Sequence, residues 1–166
     1  MIYGTIADFL KDWKSESANT QKVLNRLTDE TFTREVFPGV RTIEVLAKHI
    51  ASSAAEMINR TGLSVYNPDE DLEHANASAV DEIYKKVSDS LVSEISSKWS
   101  DEDLKKEDDM YGEMWPRYET LATLVKHEIH HRAQLITLMR AAGITPPGVY
   151  GPAKEEWSAY GMEPQK

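Results

Sequence analysis

The chain has 166 residues and contains no cysteine. Disulfides, a thiolate nucleophile and metal sites with cysteine ligands are therefore excluded, so histidine and carboxylate must supply the ligands of any metal site. No apolar run is long enough to cross a membrane, and the first segment, MIYGTIADFLKDWK, lacks the charged-then-apolar layout of a signal peptide. We therefore expect a cytoplasmic protein that does not act on a membrane.

Basic residues are also scarce. The chain has 19 lysines and arginines against 28 acidic residues, which gives a net charge of −9. Such a surface does not favour contact with a phosphate backbone, so we expect a small-molecule substrate rather than nucleic acid as the partner. The length and the 40% share of hydrophobic residues are typical of one folded domain, here spanning residues 1–166.

Strand-like alternation and hairpin signals are missing at useful length, whereas apolar residues recur at helical spacing in several segments. These segments predict helices over residues 3–27, from an N-cap at Thr42 to a stop at Thr61, from Ser78 to Trp99, and from Leu121 to Ala142. Ser78 with Asp81 resembles a capping box. Residues 61–77 form a long connection between the second and third helices. Together these features predict an all-α fold, a four-helix bundle.

The segment before the last helix divides into an acidic part and an apolar part. Residues 100–109 predict a solvated linker with one helical turn. Residues 110–119, MYGEMWPRYE, are too apolar for a free loop and are expected to fold over the bundle or to join a subunit contact. The tail after Gly143 keeps aromatic residues and should be ordered. The apolar segment and the tail favour a homodimer.

Three histidines of the last helix divide between two faces. His127 and His131 point inward one turn apart, whereas His130 points to the opposite side. Two imidazoles ~6 Å apart along the axis can bind one divalent metal from the same side. Two partly buried, hydrogen-bonded histidines are the simpler alternative.

Glu128 and His49 extend this pattern. Glu128 lies near the middle of the apolar face, where its carboxylate needs a partner. A metal, a metal-bound water, a histidine N–H or a salt bridge to a neighbouring helix would each provide one. His49 lies on the flank of the second helix. In a bundle it can meet His127 and His131, which gives three neutral nitrogens with positions open for water or substrate.

His49 in LAKHI, a long gap, and H-x-x-x-H-R-x-Q over residues 127–134 resemble the three-histidine signature of the DinB-like (DNA-damage-inducible, YfiT-like) metalloprotein superfamily. The resemblance covers essentially the whole chain. It implies a four-helix bundle in up-down-down-up order and a homodimer. It also implies a divalent metal on His49, His127 and His131, with zinc or nickel expected ahead of manganese or iron. Ala133 stands where the family commonly has glycine.

The same resemblance suggests an activity. The understood members resemble metal-dependent transferases or isomerases that use a low-molecular-weight thiol such as bacillithiol, mycothiol or glutathione. A histidine-held cation can lower the pKa of a thiol, and in this cysteine-free chain the thiol must arrive as a cosubstrate. Glu128, and after it Glu56, are candidates for a base or for orienting a ligand.

Two alternatives stay open. Residues 127–131 also match the H-E-x-x-H pattern of zinc hydrolases and peptidases, in which Glu128 would activate a water and Glu155 or Glu156 would replace His49 as third ligand. The missing strand signals weigh against a peptidase. The other alternative is a bundle in which the histidines bind a metal without catalysis.

The face assignment leads to the first testable prediction. Purified protein should hold about one divalent ion per chain. His131→Ala should lose this ion because its imidazole points inward, whereas His130→Ala should retain it. Elemental analysis of the two variants measures the difference, and equal loss from both would contradict the assignment.

Overall fold

The computed structural model describes residues 3–164, most of which are helical. In chain order the elements are α1 Ile6–Leu24, α2 Asp29–Phe32, α3 Ile43–Asn59, α4 Asp69–Glu73, α5 Ala77–Lys98, β1 Glu107–Met110, β2 Glu113–Pro116 and α6 Arg117–Ala141, with 3₁₀ helices at Asp101–Lys105 and Lys154–Tyr160. The all-α prediction is confirmed for the main body of the fold. No helix within residues 3–164 is both long and apolar enough to cross a membrane.

Four long helices enclose the core. Helices α1 and α3 each pack against both α5 and α6. Their apolar faces are fully buried, as Trp13 on α1, Ile50 on α3, Leu91 on α5 and Leu124 on α6 illustrate. This packing is consistent with a four-helix bundle, and the up-down-down-up order stays a prediction.

The helix boundaries follow local capping chemistry. Thr42 caps α3 as predicted, since its side chain accepts a hydrogen bond from the Val45 amide. The predicted Ser78 capping box is wrong. Asn76 caps α5 instead, by accepting from the Ala79 amide, so this helix begins at Ala77. The N-cap of this third bundle helix therefore lies two residues earlier than the sequence pattern indicates.

The expectation of no strands is wrong at one place, because β1 and β2 form an antiparallel hairpin. Tyr111 and Gly112 make its two-residue turn, with φ values of 63° and 90°. Two successive positive φ values are typical of a type I′ turn, which usually carries Asn-Gly or Asp-Gly. Tyr-Gly gives no such signal, and strands of four residues are too short to display alternation.

The hairpin covers one end of the core. Met110, the last residue of β1, is fully buried, and α6 starts at Arg117, directly after β2, rather than at Leu121 as predicted. Residues 110–119 therefore fold over the bundle, as one of the two predicted alternatives has it, and a subunit contact of this segment stays a prediction. Residues 101–105 supply the single helical turn expected in the acidic linker.

A buried ion pair joins α6, α1 and the tail. Arg132 donates to Glu16 Oε2 at 2.5 Å and to the Thr20 hydroxyl at 3.2 Å. The Tyr150 hydroxyl donates to the same Glu16 oxygen at 2.6 Å and accepts from Arg132 at 2.9 Å. The tail includes the 3₁₀ helix Lys154–Tyr160, and Tyr150 ties it to this ion pair, while the order of the tail stays a prediction.

Candidate metal centre

Helices α3 and α6 bring three imidazoles together. The Nε2 atom of His49 lies 3.3 Å from Nε2 of His127 and 3.2 Å from Nε2 of His131. The two α6 nitrogens are 3.1 Å apart. Among residues 3–164 these three histidines form the cluster of metal-ligating side chains whose ligand atoms lie close enough to share one ion.

The spacing of these nitrogens fits a tetrahedral metal. Two ligand nitrogens at about 2.0–2.1 Å from such a metal are ~3.3–3.4 Å apart. Hydrogen bonding among the rings is a poor alternative. His131 donates its Nδ1 hydrogen to Gln134 Oε1 at 2.8 Å, so its neutral ring presents a lone pair at Nε2. A divalent cation is the partner that lets all three Nε2 atoms act as acceptors at once.

The surroundings keep the three rings neutral. Burial lowers the pKa of His127 to about 4, and the other imidazoles add to this effect. Burial is also the main cause that lowers the pKa of His49 and of His131. Neutral imidazole is the form that binds metals. The ligand set is therefore ready for a cation at neutral pH.

Gln134 orients one ligand through an exposed neighbour. Its Oε1 accepts from His131, and its amide nitrogen donates to Nε2 of His130 at 3.0 Å. His130 is exposed, as its outward direction on α6 predicts, and stands outside the ligand cluster. Metal-ligating histidines commonly have such a partner on the second nitrogen.

A cavity of about 500 Å³ opens beside His49 and His127. Its wall includes Glu56, Tyr111 and Trp115. The Tyr111 hydroxyl donates to Glu56 at 2.5 Å, and burial together with this carboxylate raises the pKa of Tyr111 to about 12. The cavity thus joins the candidate metal ligands to a carboxylate and a protonated phenol.

Tyr111 is the site residue that the sequence reasoning did not assign. It takes positive φ at the hairpin tip, a conformation that bulky residues rarely adopt outside turns and functional sites. The one sequence signal was the apolar run MYGEMW after an acidic stretch. That run indicated packing, but it did not indicate which side chain would face the histidines.

Glu128 faces the core rather than the cavity. It is 1% exposed, and Oε1 accepts a 2.6 Å hydrogen bond from the Tyr84 hydroxyl of α5. Burial raises the pKa of Glu128, while Thr20 and Tyr84 favour its charged form. Its partner is thus the phenol of Tyr84. The sequence suggests a metal, a water, a histidine or a salt bridge instead. A catalytic role for Glu128 stays a prediction that these contacts do not support.

The third ligand of the hydrolase alternative also lies elsewhere. Glu155 pairs with Arg140 at 2.5 Å. Glu156 accepts hydrogen bonds from the backbone amides of Ala153 and Gly148. Neither glutamate belongs to the cluster that the described residues form around His127 and His131.

Comparison with known proteins agrees with this architecture. The model of the DinB family matches residues 2–166. A Bacillus subtilis (strain 168) relative named uncharacterized protein YrdA is 36% identical over 166 residues, 99% of each chain. A DinB-like crystal structure from Bacillus cereus has a TM-score of 0.84 at 38% identity and covers 90% of this chain and 100% of its own. A DinB-like protein, YjoA, from Bacillus subtilis shares the fold with a TM-score of 0.68 at 20% identity, over 87% of this chain and 99% of its own.

Glu128→Gln tests the position of this side chain. The substituted amide keeps an oxygen for the Tyr84 hydroxyl and removes an acid whose folded-state pKa is raised above its ordinary 4.5. Such an acid destabilises the fold increasingly as pH rises above its pKa in the unfolded chain. At pH 8 the variant should therefore be more stable than the parent by about 1 kcal/mol and should unfold at a higher temperature. The difference in stability between variant and parent should disappear near pH 4, and the metal content should not change. A less stable or metal-free Glu128→Gln protein would contradict the core assignment.

Proposed function

Because the chain belongs to the DinB family, we propose that it is a metal-dependent enzyme in which His49, His127 and His131 hold one divalent cation. The observation that carries this proposal is the convergence of three Nε2 atoms to within 3.1–3.3 Å of one another. Three imidazoles without a fourth protein ligand leave a coordination position for a substrate. Zinc or nickel suits this all-nitrogen set better than magnesium or calcium, which prefer oxygen.

The reaction we propose is transfer of a low-molecular-weight thiol, such as bacillithiol, mycothiol or glutathione, to an electrophilic small molecule. The cation would act as a Lewis acid and lower the pKa of a thiol bound to it. In the transfer a sulfur–carbon bond forms, and the leaving group departs with the electron pair of the bond that breaks. An isomerase of the same type would return the thiol at the end.

Glu56 is placed to accept the proton that the thiol loses, and Tyr111 orients Glu56. The Glu56 carboxylate lines the same cavity as His49 and His127, pairs with Arg60 at 2.8 Å, and is exposed enough to pass a proton on to water. The Tyr111 hydroxyl holds it in place through their 2.5 Å hydrogen bond. Trp115 closes part of the cavity wall, which limits the access of competing water. We therefore assign the role of base to Glu56 ahead of Glu128.

The two other readings of the sequence have weaker support. A zinc hydrolase needs Glu128 beside the attacking water, but the Glu128 carboxylate is buried against Tyr84. A metal site without catalysis would not require a cavity lined by a carboxylate and a phenol.

We also propose that residues 1–166 form one domain and that two copies of the chain form a homodimer. Met114 on β2 is 59% exposed, and Tyr111 beside it is 54% exposed. Large apolar side chains in adjacent exposed positions are typical of contact surfaces. The hairpin tip therefore suits a subunit contact, and the tail, with Tyr150 69% and Tyr160 64% exposed, offers a second such surface.

An activity screen tests this proposal. Bacillithiol, mycothiol and glutathione are each incubated with the metal-loaded protein and a fluorogenic alkyl halide, and thioether formation is followed. Glu56→Gln should lower the turnover number ~100-fold because the base is lost, while the metal content stays unchanged. His49→Ala should lose both metal and turnover.

Glu70→Gln, which alters an exposed glutamate on α4, is the matched control and should behave as the parent protein. Peptide hydrolysis measured in parallel distinguishes the hydrolase alternative. Metal-loaded protein that accelerates none of the thiol reactions, or that does so equally well as His49→Ala, would contradict the proposed function.

A further inference from the structure

A second cavity, of about 610 Å³, lies on the other side of the histidine cluster. His131 and Gln134 form its boundary with the candidate metal centre. Phe37 and Val40 supply an apolar wall, and both are about half exposed, at 48% and 51%. Exposed apolar side chains at the wall of a cavity are suited to covering the apolar part of a ligand.

Arg41 is the charged residue of this cavity, and no carboxylate lines it among the described residues. Five of the seven arginines within residues 3–164 pair with carboxylates, whereas Arg41 and Arg26 make no ion pair there. The contrast is informative in a chain with 28 acidic and 19 basic residues. A guanidinium left without a partner beside an apolar wall is available to an anion.

The two cavities next to the histidines thus differ in charge. The one beside His49 and His127 contains the Glu56 carboxylate, whereas the one beside His131 contains the Arg41 guanidinium. The Glu56 charge is balanced by Arg60 at 2.8 Å, whereas the Arg41 charge faces no carboxylate across its cavity, which favours an anionic ligand there.

We infer that the Arg41 cavity binds an organic carboxylate with a short apolar chain, whose carboxylate pairs with Arg41 and whose chain lies on Phe37 and Val40. A single guanidinium can match one carboxylate through two parallel hydrogen bonds, and the apolar wall beside it suits a hydrocarbon chain. None of these three residues is a proposed metal ligand or base. The ligand is thus held by residues other than the proposed metal ligands and base, in a cavity that His131 also lines.

Hexanoate is the probe, with hexanamide as its neutral counterpart of equal chain length. Each is titrated into the full-length protein as purified, and dissociation constants are taken from amide shifts in NMR spectra. The parent protein should bind hexanoate at least ~5-fold more tightly than hexanamide, with the largest shifts in the Gln134 side-chain amide and the residues around Arg41. Arg41→Gln should remove this preference.

Arg26→Gln is the matched control, because Arg26 also lacks an ion pair in the described part of the chain but lies at a different cavity. It should keep the preference for hexanoate. Three results would overturn the inference: no preference in the parent protein, equal hexanoate affinity in Arg41→Gln, as expected for a carboxylate bound only to a metal, or shifts confined to the Glu56 cavity. Because no thiol or turnover enters the measurement, each of these results would leave the proposed activity standing.

Discussion

The packing of α3 against α6 is the contact on which the candidate metal centre depends. A single helix places two imidazoles on one side through the i,i+4 spacing of His127 and His131, but the third nitrogen must come from another element. His49 supplies it only in the observed register, because a shift of α3 by one residue would turn its side chain by about 100° and move it by about 1.5 Å. Ile50 follows His49 in sequence and is fully buried. The same apolar packing that stabilises the bundle therefore sets the geometry of the ligands.

Helix α6 separates two kinds of polar chemistry. Its ligand histidines, His127 and His131, face two cavities and remain neutral, whereas Glu128 and Arg132 face the core, where Tyr84 and Glu16 are their partners. A charged group in the core is tolerated only with such partners. A neutral nitrogen beside a cavity instead keeps its lone pair for a ligand. Because ligand and core residues alternate along α6, the sequence does not show which side chains face the core and which face a cavity. The contacts of each side chain show it.

Much of this arrangement could be predicted from the sequence, because helical periodicity and capping are local properties. The four long helices, the N-cap at Thr42 and the inward direction of His127 and His131 follow from spacing alone. The hairpin could not be predicted, since Tyr-Gly is an uncommon type I′ turn and its strands are short. The roles of Tyr111 and Arg41 depend on which cavity each side chain meets, and such contacts between distant segments are not encoded in any local pattern. Glu128 was placed correctly on the apolar face, but its phenol partner lies 44 residues away on α5.

X-ray absorption spectroscopy at the metal edge is the most direct measurement of the central claim, which is that His49 completes a three-imidazole site with the α6 pair. The purified protein should show three imidazole nitrogens at about 2.0–2.1 Å from the metal, together with a light atom from solvent. His49→Ala should show two imidazoles or no bound metal. A spectrum with fewer than three imidazoles in the parent protein, or one that His49→Ala leaves unchanged, would contradict the account.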